Sequence, residues 1–177
     1  MNKYYFDGVI VVEGKSDVSY LSSFIDSKYF ITNGYDINDE KLDFLSRVSK
    51  VNKIIILTDN DDAGRIIENK IKQAIQSVVC VKTPLSNRKN YKKSGVAETN
   101  KEVIIKVLEP YFDNNNQKGQ KCCYNLTRII SLSSNPHEIR KNIINEYRLI
   151  EGNNNYLEQQ LDMLKVDVKE FNKKYGN

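Results

Sequence analysis

Histidine and cysteine are too scarce in this 177-residue chain to build a zinc site or a disulfide framework. The one histidine, His137, follows Pro136 and reads as flanking a helix, with no catalytic role. Cys80, Cys122 and Cys123 are odd in number and include an adjacent pair, which is not the spacing of a disulfide-stapled fold. Four soft ligands in zinc spacing cannot be assembled from this set. Long apolar runs are missing too. The longest, Val9–Val12 and Ile54–Leu57, fall far short of the roughly 20 residues a membrane-spanning helix needs. Met1–Asp7 carries no apolar signal segment. A cytoplasmic protein with no membrane partner is the expectation. Acid is absent from one long stretch: between Asn69 and Ala97 there is no Asp or Glu, yet Lys70, Lys72, Lys82, Arg88, Lys89, Lys92 and Lys93 all fall there. The net charge of +4 says little by itself. A local run of positive charge is what binding to phosphate requires, although a solvated loop has the same composition.

Hydrophobic residues make up 40% of the chain, enough for a packed core. The length suits one domain, or a domain of about 110 residues with a small appendage. Short β-rich runs alternate with helical patterns through the first 112 residues. Gly8–Glu13, Tyr29–Thr32, Lys53–Thr58 and Val78–Lys82 read as strands. Ser16–Ser27, Asp39–Lys50, Asp62–Gln76 and Asn100–Tyr111 read as helices. In the first of these, Ser16 is the expected N-cap and Val18, Leu21 and Ile25 form the inward face. Helices between apolar strands predict an α/β fold with a mostly parallel sheet covered on both faces.

Asp113–Lys121 is polar and unpatterned and reads as a linker. Beyond it only helical patterns follow, at about Leu126–Leu132, Pro136–Leu149, Tyr156–Leu164 and Val168–Tyr175. The expected organisation is therefore an α/β catalytic domain at 1–112, a linker at 113–123 and a small all-helical domain at 124–177.

The two most apolar strands both end in acid. Glu13-Gly14 follows the first, and Asp59-Asn60-Asp61 follows the other. Carboxylates at the mouth of a buried strand are costly unless they face water or a cation. In parallel sheets, ligands gather at the carboxyl ends of strands near a topological switch. Magnesium takes oxygen ligands and keeps several waters, so two or three carboxylates suffice to hold it against a phosphate. Each element alone has an ordinary explanation: Asp-x-Asp is common in turns, and Asp62 is well placed as a helix N-cap. Together, strand–Glu-Gly and strand–Asp-x-Asp-x-x-Gly are far more specific. Gly14 and Gly64 are expected to let the backbone bend at each exit.

Val11–Asp17 (VVEGKSD) and Thr58–Gly64 (TDNDDAG) resemble the two signatures of the Toprim fold, found in topoisomerases, bacterial primases, recombination proteins and small nucleases. Three more segments are similar to the ribonuclease M5 family, the maturases of 5S ribosomal RNA. These are Thr32-Asn33-Gly34, Gly95-Val96 with nearby Glu98, and the helical tail Asn154–Tyr175. The chain departs from the family pattern in having Asn60 where a proline is usual, and in placing Glu98 one position later.

The resemblance implies a magnesium-dependent endoribonuclease that cleaves double-stranded precursor 5S rRNA and leaves a 5′-phosphate. Asp59 and Asp61 would hold Mg2+, and Glu13 would complete the site or handle a proton. Lys15, Lys82, Arg88, Lys89, Lys92 and Lys93 would follow the RNA backbone, with Tyr91 able to stack on a base. Arg128, Arg140, Lys141 and Arg148 are weaker candidates on the helical tail, which would select structured RNA. The implied partners are precursor 5S rRNA and the ribosomal protein bound to it, and the expected state is a monomer. Two other readings stay open at this point: a primase-like or DNA-cutting Toprim enzyme, and a non-catalytic RNA-binding assembly factor.

Overall fold

Residues 3–34, 37–83, 95–113 and 122–176 are described by the structure, a computed structural model. Two compact units emerge, Met1–Gly119 and Gln120–Asn177.

In the first unit, strands β1 (Tyr4–Val12), β2 (Ile25–Ile31), β3 (Lys53–Ile56) and β4 (Val78–Cys80) form one sheet in the order β2-β1-β3-β4, with every pairing parallel. The helices between them are α1 (Lys15–Leu21), α2 (Asp39–Val48) and α3 (Asp62–Ala74), and α4 (Lys101–Leu108) follows the last strand. Alternation along the strands splits the core in two. Ile10, Val12, Ile55 and Leu57 pack with Leu21, Ile104 and Leu108 of α1 and α4. On the other face Phe30 of β2 stacks on Phe44 of α2 with ring centroids 5.8 Å apart. Residues 9–12 of β1 are each 0% exposed, as a central strand covered on both faces requires. The chain leaves β1 outward to β2 and then crosses back to β3. The carboxyl ends of β1 and β3 therefore flank the switch point.

Two local expectations are corrected. Helix α1 stops at Leu21, and Ile25 opens β2 instead of ending the helix. The spacing of Val18, Leu21 and Ile25 fits a helix face, but Ile25, Tyr29 and Ile31 alternate along a strand against the same core. The turn Ser22–Phe24 separates the two periods. Ser16 is not the cap of α1 either; Gly14 is, with the Asp17 carboxylate accepting its N–H at 2.9 Å.

The second unit holds α5 (Leu126–Leu132), α6 (Pro136–Tyr147), α7 (Asn154–Met163) and α8 (Val168–Tyr175). His137 is the second residue of α6, behind Pro136 at the first turn. Tyr124, Leu126, Ile143, Leu157, Leu161 and Phe171 are fully buried, each worth about 1.5–3 kcal/mol for the aliphatic side chains. Phe171 is ringed by Tyr124, Tyr147 and Tyr175 at centroid distances of 5.3, 5.8 and 5.2 Å. No helix among the described residues is long and apolar enough to cross a membrane.

Candidate active site

Glu13 leaves β1 and Asp59 leaves β3, two strands that are hydrogen-bonded neighbours. Glu13 Oε1 accepts the Asp59 N–H at 2.9 Å, so the two exits are joined across the switch point. Asp59 Oδ1 in turn accepts the Val96 N–H at 2.7 Å. Val96 belongs to a short 3-10 turn, Val96–Glu98, that runs into α4. One oxygen of each carboxylate is thus fixed by backbone. Asp61 sits at the next bend, where Oδ1 accepts the Gly64 N–H at 2.8 Å and caps α3. The cap expected at Asp62 falls on Asp61. Asp62 instead begins the helix and pairs with Arg65.

The cost of gathering these acids is visible in their proton affinities. Burial pushes the Glu13 carboxyl up to about 7; the Asp59 N–H opposes this, and repulsion from Asp59, Asp61 and Asp17 adds to it. Burial likewise pushes Asp59 up to about 6, opposed by the Val96 N–H and assisted by Asp17, Asp61 and Glu98. A positive charge at this point would bring both carboxyls back down.

Glycine matters here through close approach. A Cβ at Gly64 would fall on the Asp59 carbonyl oxygen, so only glycine lets α3 start this near the strand exit. A Cβ at Gly95 would strike the Glu98 carboxylate and crowd Asp59 Oδ2. Gly14, by contrast, has extended backbone and room for a side chain, so the bend expected of it is not what its position demands. The turn after β2 does use left-handed backbone, at Asn33 (φ 59°) and Gly34 (φ 96°). Asn33 donates its N–H to the Glu13 carbonyl there at 3.0 Å.

Asp17 is 6% exposed, and its carboxylate accepts the Gly14 N–H at 2.9 Å. Burial, and then the Glu98 charge, raise its pKa, opposed by the Gly14 N–H and the nearby Ala97 and Glu13 amides. The Val96–Glu98 turn packs beside α1, tied to it by the Tyr20 hydroxyl donating to the Thr99 carbonyl at 2.6 Å. An acid three places into a helix reads in sequence as ordinary N-terminal electrostatics. Its link to residue 97 lies beyond any local pattern.

The basic candidates divide. Lys15 is exposed on the first turn of α1, beside Glu13. Lys82 lies 3.3 Å from Glu68 rather than standing free, with its side chain 42% exposed. Arg88, Lys89, Tyr91, Lys92 and Lys93 lie outside the described residues. In the helical unit Arg140 is spent on structure, donating to Asn154 Oδ1 and the Gly152 carbonyl and pairing with Glu151. Arg128 lines a hollow of about 580 Å³ with Leu132 and Tyr175. Lys141 is exposed, and Arg148 ends α6 in left-handed backbone.

Among the described residues no three His, Cys, Asp or Glu side chains are gathered tightly enough to enclose a metal ion. The donors at the switch point are carboxylate oxygens with raised proton affinity. That chemistry fits a hard cation held by one or two carboxylates and its own waters, the usual habit of magnesium, and not an all-protein cage.

Residues 8–105 match the Toprim domain family. The chain is 31% identical over 160 residues to "Ribonuclease M5" of Borreliella burgdorferi, covering 89% of this chain and 87% of that one. It belongs to the ribonuclease M5 family. The protein of the same name from Mycoplasma genitalium is 27% identical over 165 residues, covering 93% of this chain and 92% of its own. A solved small Toprim domain protein from Bacillus stearothermophilus superposes with a TM-score of 0.52 at 22% identity, covering 61% of this chain and 91% of its own, which supports the fold. The ribonuclease M5 match runs past the Toprim segment into the helical unit, and the acids after β1 and β3 lie inside that segment.

Proposed function

We propose that this Toprim nuclease is a magnesium-dependent endoribonuclease that cleaves double-stranded precursor 5S rRNA to its mature form, leaving a 5′-phosphate and a 3′-hydroxyl. The observation that carries the reading is the junction of Glu13 and Asp59 at the switch point, at a cost in proton affinity that a cation would offset. Relatives named as ribonucleases over nearly the whole chain support the choice of RNA.

Asp59 and Asp61 are the residues that would hold the ion, with Glu13 beside them completing the site. Bound there, magnesium neutralises charge on the scissile phosphate and lowers the pKa of water. Glu13 is the proton acceptor. Its Oε1 is fixed by the Asp59 N–H, which leaves the second oxygen to take a proton from the attacking water. Lys15, Lys82 and the stretch containing Arg88, Lys89, Lys92 and Lys93 follow the RNA backbone. The helical unit supplies preference for the 5S precursor, presented with its ribosomal protein bound. The protein acts as a monomer in the cytoplasm.

The test is incubation with precursor 5S rRNA, with and without that ribosomal protein, in magnesium or in EDTA, with the product ends analysed. Cleavage in magnesium alone, favouring the precursor over an unrelated duplex, is the expected result. Full activity in EDTA, or equal cleavage of both RNAs, would contradict the proposal.

A further inference from the structure

Glu68 is a buried acid that the hydrolytic chemistry above does not use. It lies on α3, and only 4% of its surface is exposed. Gly64 and Ile71, at helical spacing on either side, are buried with it. A carboxylate in that position is costly unless both oxygens are engaged. Both are. Oε1 accepts the Thr58 hydroxyl at 3.2 Å, and Oε2 lies 3.3 Å from the Lys82 ammonium. Thr58 is itself buried and immediately precedes Asp59. Its hydroxyl also lies 3.5 Å from the Gly64 carbonyl, at the start of the helix that Asp61 caps. One side chain therefore ties the exit of β3, the first turn of α3 and the exit of β4 together, directly behind the two aspartates.

We propose that Glu68 is a positioning residue: acting through Thr58, it fixes the backbone from Thr58 to Asp61 so that Asp59 and Asp61 are held ready for one divalent cation. The inference rests on the metal reading above and adds to it a residue that touches neither ion nor RNA. It also gives Lys82, placed above along the RNA path by its exposed side chain, a second duty, as the cation that makes a buried Glu68 tolerable. A bare Glu68–Lys82 ion pair would stabilise the fold equally well whether or not Thr58 were attached. Under positioning, the Thr58 arm decides the geometry and the Lys82 arm decides mainly stability.

Two readouts on the full-length chain separate these. The first is hydrogen exchange in EDTA at the amides of Asp59 and Gly64, which are bonded to Glu13 and Asp61 and so report the placement of the acids without any metal. The second is calorimetric titration with magnesium chloride alone. Glu68→Ala and Thr58→Val should each speed exchange at both amides and weaken magnesium binding about tenfold, the scale of effects seen when groups behind metal ligands are removed. Glu68→Gln keeps an acceptor for the Thr58 hydroxyl. It should hold wild-type exchange and affinity while melting at a lower temperature, because Lys82 has lost its partner. Should Glu68→Ala fold poorly, Thr58→Val, nearly the same size, carries the test. Lower melting temperatures with unchanged exchange and affinity in Glu68→Ala and Thr58→Val would overturn the proposal. If the wild type takes up no magnesium, the metal reading fails, and exchange still decides whether Glu68 positions the loop.

Discussion

In the helical unit, Gln160 is fully buried and both ends of its amide are satisfied by one residue. Its carbonyl accepts the Ile150 N–H at 2.7 Å, and its NH2 donates to the Ile150 carbonyl at 2.8 Å. Glu158 likewise accepts the Leu126 N–H at 2.7 Å, and the Tyr124 hydroxyl donates to the Val166 carbonyl at 2.8 Å. At the carboxyl edge of the sheet the arrangement differs. Glu13 and Asp59 are also hydrogen-bonded to backbone, yet burial and repulsion from neighbouring acids still hold both well above ordinary carboxylate values. At Gln160, Glu158 and Tyr124 the pattern is what folding alone selects, polar groups buried with their partners complete. The pattern at the sheet edge leaves free energy uncollected in the metal-free protein. Perturbed groups gathered at one cleft are a mark of function, because chemistry tolerates a cost that packing would remove.

That difference gives opposite expectations for the two regions. The largest effect should come from Asp59→Asn, which removes charge and keeps an acceptor for the Val96 N–H. Cleavage should fall by about 10²-fold or more. Asp61→Asn should do the same while keeping the α3 cap. Asp61→Ala is a poorer probe, since losing the cap costs about 1 kcal/mol of its own. Initial rates on one duplex RNA substrate check this. An Asp59→Asn enzyme within a few-fold of wild type would remove the case for the site. A smaller effect, on stability alone, is expected from Gln160→Ala. It strands the Ile150 N–H and carbonyl in the core, at about 1–3 kcal/mol for each group. Urea denaturation of full-length protein measures it, and an unchanged midpoint would show that the contrast between the two regions is not energetic.

The parallel sheet, the helical second unit and the acids at the two strand ends were all legible in the sequence, because each is written in a local pattern: Val9–Val12 and Ile54–Leu57 as unbroken apolar runs, Glu13 and Asp59 as the acids that end them. Relationships that close only in space were not. Ile25 fits a helix face and a strand face equally, so the local pattern runs α1 past its true end at Leu21. The cap fell on Asp61 because the chain bends one residue before the acid that looked best placed. Glu68 carried a weak signal, an acid spaced with Gly64 and Ile71 on the buried face of α3. Its partners Thr58 and Lys82 are brought to it only by the β3–α3–β4 crossover. Asp17 has the same history, with residue 97 arriving from beyond β4.

The central claim is that the acids at the sheet edge are strained for the sake of a cation, and thermal denaturation tests it most directly. Glu13 goes from an ordinary 4.5 to about 7 on folding, and Asp59 from 3.8 to about 6. In each case the folded state holds the proton more tightly than the unfolded one. Their contribution is therefore favourable at low pH and is lost as pH rises through the folded values. In EDTA the wild type should melt at a lower temperature at pH about 8 than at pH about 5, and magnesium should raise the melting temperature most at the higher pH. Asp59→Asn should melt above wild type in EDTA at the higher pH, show a flatter pH dependence, and gain little from magnesium. A wild type unmoved by magnesium, together with an Asp59→Asn variant less stable than wild type in EDTA, would contradict the account.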